Sequence, residues 1–142
     1  MDKTLTIESV SQNPKFFKTE LVRKRFRKMH PALQEIAITA MCYAIGCGVE
    51  QPVLTETATT EAEDKALKRV SRTHSQCRAF DMRVNDWSGE QIDAMLVFLT
   101  KAYNHVGALQ ADGNRCVALC HDSGHGMHFH VQLDTTYALK LD

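Results

Sequence analysis

The sequence predicts a single α+β domain, a small antiparallel sheet flanked by helices. Two long stretches have apolar residues at helical spacing behind a recognisable start signal, and several short stretches alternate apolar with polar residues. A turn-rich DSGHG joins the last two of these. The whole chain, 1–142, is one domain's length, enough to bury a single core. Residues 1–29 read as an N-terminal helical extension and 30–133 as the core of the domain.

Each element has its own signal. KFFKTELVRKRFRK (15–28) reads as a basic helix, with seven Lys and Arg against one Glu. Its charge suits an anionic polymer such as a cell wall, or simply a solvated face. PALQEIAITAMCYAIG places Pro31 in a first helical turn and Leu33, Ile36, Ala37, Ala40, Met41 and Ala44 on one face. QPVLTETA (51–58) reads as a strand. Thr60 and Glu63 form a capping box for a short helix, and Ser88 and Gln91 form another for a long one ending at Gly107. The long helix carries the stripe Ile92, Met95, Leu96, Leu99, Tyr103 and Val106, and His105 near its end suits the helix dipole. RCVALCH (115–121) and MHFHVQL (127–133) read as a strand pair.

Composition bounds the function. With 17 basic and 17 acidic residues, no overall field draws the chain to nucleic acid, and no apolar run approaches a membrane span. Neither a nucleic-acid partner nor membrane insertion is expected. Five cysteines at irregular spacing form neither a zinc CxxC pattern nor a disulfide framework and read as reduced thiols. MDKTLTIESVSQNPK lacks the pattern of a signal peptide, so synthesis in the cytoplasm is expected, with any export by another route.

The chemistry concentrates in HGMHFHV (125–131), three histidines in seven residues. In a strand, Met127, Phe129, Val131 and Leu133 share one face, and His128, His130 and Gln132 share the other. Burying the apolar face leaves His128 and His130 lining a cleft, where both can approach one ion or one substrate. Residues 79–84 alternate in the same way, with Phe80, Met82 and Val84 opposite Ala79, Asp81 and Arg83. His74 precedes Asp81 by seven residues, in a loop able to fold back beside it. His74, Asp81 and His130 would make a three-ligand set with a fourth tetrahedral position for water, the open arrangement of a catalytic zinc site. For Asp81 alone, capping a turn or pairing with Arg83 is the structural alternative.

These residues resemble the zinc metallopeptidases that include D-Ala-D-Ala carboxypeptidases, murein endopeptidases, phage endolysins and the hedgehog signalling domain. Their signature is SxHxxGxAxD followed far downstream by HxH. Here RTHSQCRAFD matches at His74, Ala79 and Asp81, and HGMHFH matches at His128 and His130, with His125 completing the HxxHxH of the murein endopeptidase branch. The order of elements also fits over roughly residues 30 to 133. The resemblance implies a hedgehog/D-Ala-D-Ala-peptidase-like fold and zinc held by His74, Asp81 and His130.

The departures are specific. Arg72 stands where the family has Ser and Cys77 where it has Gly, which bears on the local turn. The arginine that relatives carry before the first ligand, to hold a substrate carboxylate or carbonyl, is absent from TETATTEAED, so Arg78 or Arg83 is expected to bind substrate instead. Met127 occupies the slot where several relatives have an acidic base. Proton transfer then falls first to His128, next to His125, with His121 and Asp122 also in the region. The expected function is zinc-dependent cleavage of peptide bonds in peptidoglycan stem peptides by a phage or prophage lysin, reaching the cell wall after holin release or from the virion. The alternatives are a non-catalytic zinc-containing binding module and a phage structural protein.

Overall fold

Caps and buried aromatics set the elements of the N-terminal half, as seen in a computed structural model that describes residues 4–122 and 126–141. Helix α1 (Ile7–Ser11) starts at a Thr6 capping box, and α2 (Glu20–Phe26) starts where Thr19 Oγ1 accepts from the Val22 N–H. The basic stretch is therefore helical only from residue 20. Its first part is a 3₁₀ turn, Pro14–Phe16, followed by extended backbone at Phe17, and both phenylalanines are buried. Burying two adjacent aromatic rings on the same core overrides continuous helix. The Lys18 N–H donates to the Leu54 carbonyl at 2.9 Å, tying this break to the sheet.

Helix α3 (Pro31–Gly46) matches its sequence signal at both ends. Strand β1 (Leu54–Glu56) is shorter than the expected 51–58, and α4 (Glu61–Ala66) forms behind the Thr60–Glu63 capping box. Strand β2 (Ala79–Arg83) leads to α5 (Gly89–Tyr103), started by the Ser88–Gln91 capping box. The last turn before Gly107 is 3₁₀, over Asn104–Val106. Gly107 itself has no room for a side chain, because a Cβ there would lie 2.6 Å from the Val117 nitrogen.

The stretch 115–121 does not form one strand. Arg115–Cys116 (β4) pairs with Ala108–Leu109 (β3), an element without a sequence signal, and β5 begins only at Ala118 (Ala118–Asp122). At the break, the Val117 N–H donates to Asn104 Oδ1 at 3.0 Å instead of to a strand neighbour. Strand β6 (Met127–Gln132) completes an antiparallel sheet in the order β1-β2-β6-β5.

The two faces of the sheet differ as alternation requires. Phe80 and Met82 of β2 and Phe129 and Val131 of β6 are at most 1% exposed, on the face covered by α3 and α5. Tyr43 stacks on Phe98 to join the two helices, and Trp87 sets its edge against Phe129. Val10, Phe16, Phe17 and Phe26 belong to the same core, so residues before 30 are packed into the domain. Met127 departs from the pattern: at the start of β6 it is half exposed, on the edge of a cavity. No helix of the described residues is long and apolar enough to cross a membrane.

Candidate metal centre

The polar face of the sheet gathers its functional side chains through register alone. Asp81 of β2 lies directly opposite His130 of β6, and Arg83 lies opposite His128. On the other side of β6, Leu119 and His121 of β5 oppose His130 and His128. Glu56 of β1 lies beside Asp81 across a register shift. Directly opposite residues point to the same face, so one pleated surface carries two carboxylates and three imidazoles.

His74 arrives from the loop before β2. The turn that carries it back closes at Cys77, whose N–H donates to the His74 carbonyl and whose φ of 58° lies in the left-handed region. The substitution of Cys for the glycine of the resemblance therefore leaves a turn with glycine-like backbone, at a conformational cost of about 1–2 kcal/mol. Cys77 is fully buried, and burial pushes its thiol pKa up. A raised pKa leaves it a packing residue rather than a thiolate.

His74, Asp81 and His130 converge, with one ligand atom from each lying within 4.8 Å of the other two. His74 Nε2 is 3.2 Å from Asp81 Oδ1, and His130 Nδ1 is 2.9 Å from the same oxygen. The far nitrogens are fixed by acceptors. His74 Nδ1–H donates to the Thr57 carbonyl at 2.9 Å. Gln132 Nε2 donates to the Cys116 carbonyl at 3.1 Å, which turns its Oε1 to accept from His130 Nε2–H at 3.0 Å. Each imidazole thus keeps its outer proton on a fixed partner and aims its inner nitrogen at Asp81, the outer-shell arrangement that orients metal-ligating histidines.

Electrostatics holds the same three groups together without an ion. Burial works to raise the Asp81 carboxyl, but the His74 charge and hydrogen bonds from His130 and His74 outweigh it and hold the group far below the usual carboxylate range. Burial works to lower His74, and the Asp81 carboxylate overcomes this to raise it. Cation charge at this point is matched by a buried, ionised carboxylate.

His128 stands beside the trio. Its Nδ1–H donates to the Gly126 carbonyl at 3.1 Å, leaving Nε2 3.7 Å from Asp81 Oδ2 on the cavity side. The His121 ring lies 4.8 Å from that of His128, and His121 is pushed down by burial and by the neighbouring His128 and His130. His125 lies outside the described residues, and Asp122 lies at the end of β5.

The two arginines expected to meet substrate take different places. Arg78 lines a cavity of about 790 Å³ beside the trio, where Nη1 donates to the Leu133 carbonyl and Nε to Gln76 Oε1, both at 2.7 Å. Arg83 is exposed at the end of β2 and lines a second cavity. It makes no ion pair with Asp81, and the alternative of an Asp81–Arg83 pair is replaced by the histidine bonds.

Sequence reasoning missed Arg69, which pairs with Glu56 and also donates to Asp64 Oδ1 at 3.2 Å, and which lines both cavities. No spacing rule joins residues 56, 64 and 69, because the contacts form only once the loop after α4 folds over β1. It also left Gln132 without a role, although its parity with His130 placed it on the same face. No family model, curated protein or solved structure matches this chain.

Proposed function

We propose that the protein is a zinc-dependent peptidase acting on peptide bonds of peptidoglycan stem peptides, of the superfamily that its HxxxxAxD and HxH motifs resemble, and that it serves as a phage or prophage lysin. The observation that carries the reading is the convergence of His74, Asp81 and His130 with both outer imidazole nitrogens anchored. Two imidazoles and one carboxylate match the donor set of zinc sites that keep a position open for chemistry. An ion bound there supplies Lewis acidity to a carbonyl and lowers the pKa of water.

The chain's own groups supply the rest. His128 keeps its proton on the Gly126 carbonyl side and presents a basic nitrogen to the cavity, so it can accept a proton from water and return it to a leaving amine. His121, beside it, is the next group along that path. The cavity walls Leu119, Leu109 and Gln110 offer a mixed surface to a peptide, and Arg78 adds a positive charge to one end.

The test combines metal analysis with product analysis. The purified protein should contain about one zinc per chain, and digestion of peptidoglycan should release new peptide termini identifiable by mass spectrometry. Zinc retained without any hydrolysis would instead favour the binding-module alternative.

A further inference from the structure

Asp81 stands where two cavities meet, with His74 and His130 lining only the larger. Arg69, Asp81 and His128 line both the larger one of about 790 Å³ and a second of about 470 Å³. A chain held at Asp81 and the histidines therefore has room on both sides of the reacting position. A site that removes single terminal residues needs space of that kind on one side only.

The second limb has a definite charge. Lys18, Lys68, Arg69 and Arg83 line it, against Glu56 and Asp81. Arg69 is committed to Glu56 and Asp64, and Asp81 to the histidines. Among the described residues, no carboxylate lies within ion-pair distance of Lys18, Lys68 or Arg83. These three cations come from separate elements. Lys18 lies before α2, with its N–H bound to the Leu54 carbonyl. Lys68 follows α4 with a left-handed φ of 57°, and Arg83 ends β2 with its N–H bound to the Val53 carbonyl. Charges spread along one helix read as a solvated face, whereas three anchored backbones converging on one cavity make a binding surface. Half-exposed Leu67 and Met127 give the same limb apolar contact.

We infer that the substrate is an extended peptide occupying both limbs, cleaved at an internal bond, with a carboxylate-bearing segment in the limb lined by Lys18, Lys68 and Arg83. The inference rests on the peptidase reading for cleavage, but not for the charge preference. Exposed ion pairs of this kind change binding by about two- to fivefold each. A segment with several carboxylates should therefore bind roughly tenfold more tightly than its neutral counterpart, and salt should erode the difference.

Two fluorescein-labelled hexapeptides test it, one with three alanines followed by three glutamates and the other with glutamines in place of the glutamates. Initial fluorescence anisotropy with the zinc-loaded protein reads binding, and chromatography of the same mixtures reads cleavage. The glutamate peptide should bind more tightly. Its preference should fall to about twofold or less in the Lys18→Gln, Lys68→Gln, Arg83→Gln triple variant and should persist in Lys101→Gln, a change at an exposed position of α5. Equal binding of the two peptides by the parent, or a preference that survives the triple substitution, overturns the inference. Cleavage that only trims a terminal residue overturns its two-limb part. A charge preference without any cleavage, by a protein that also leaves peptidoglycan intact, upholds the basic limb and sinks the peptidase reading, while internal cleavage without preference does the reverse.

Discussion

Asp81 and His130 face each other across β2 and β6, with His130 Nδ1 2.9 Å from Asp81 Oδ1, although 49 residues of chain separate them. Under the proposed function, neighbouring polar positions on β6 have different duties. His130→Ala would remove one of the three proposed zinc ligands, so bound zinc and hydrolysis should fall together. His128→Ala should keep its zinc and lose hydrolysis by roughly 10²- to 10⁴-fold. Metal content and peptidoglycan hydrolysis, measured on both variants beside the parent, check the division; loss of zinc in His128→Ala would contradict it.

Gln132 acts on the centre through His130. Gln132→Leu preserves bulk but removes the acceptor for His130 Nε2–H and the donor to the Cys116 carbonyl. Zinc affinity should drop about 10- to 100-fold, the usual loss for an outer-shell partner. Competition with a chromogenic chelator measures it, and unchanged affinity would show that Gln132 only packs.

The acid–base behaviour of the metal-free protein follows from two shifts of opposite direction. His74 is raised above its ordinary 6.5, so its contribution to stability is complete below that pH and is lost as pH rises through the folded value. Asp81 is depressed below 3.8, so its contribution is present above that pH and is lost only as pH falls through its lower folded value. Zinc has the opposite preference, since its ligands must shed their protons. From about pH 5 to 9, Tm in chelator should decline on the alkaline side while the Tm gain from added zinc grows. A zinc increment that shrank with rising pH over the acidic half of that range would refute the assignment.

Arg69 secures the loop over β1. Arg69→Gln leaves partly buried Glu56 and buried Asp64 without their cation. A loss of about 1–3 kcal/mol in urea unfolding is expected, less than for a fully buried pair because solvent reaches the guanidinium. A change within experimental error would place this network among the neutral surface pairs.

Gly107→Ala would bring a Cβ to 2.6 Å from the Val117 nitrogen and 2.8 Å from the Cys116 carbonyl carbon, both backbone atoms unable to swing away. It should destabilise by about 1–3 kcal/mol, as overpacking does. The same urea titration reads it, and wild-type stability would mean that the β3–β4 hairpin can move aside.

Local chemistry made much of this legible in the sequence. The capping residues Thr60 and Ser88 start their helices where their side chains can accept an N–H, a rule that operates within four residues. The parity of Phe80, Asp81, Phe129 and His130 set which side chains enter the core and which enter the cleft. What escaped was non-local. The break at Phe16 and Phe17 depends on a core assembled from distant elements. The start of β5 depends on the Asn104 side chain taking the Val117 N–H. Arg69 and Glu56 meet only because a loop without a periodic pattern folds over an edge strand.

The register between β2 and β6 also leaves the centre no half-formed state. A slip of one residue would set Asp81 opposite Phe129 or Val131 and turn apolar rings and methyls into the cavity, so the sheet cannot loosen gradually around these side chains. A destabilised variant would divide into molecules with an intact centre and molecules with none. Under the proposed function, its lowered specific activity would count the fraction of chains in register, with kcat per competent molecule and KM both unchanged.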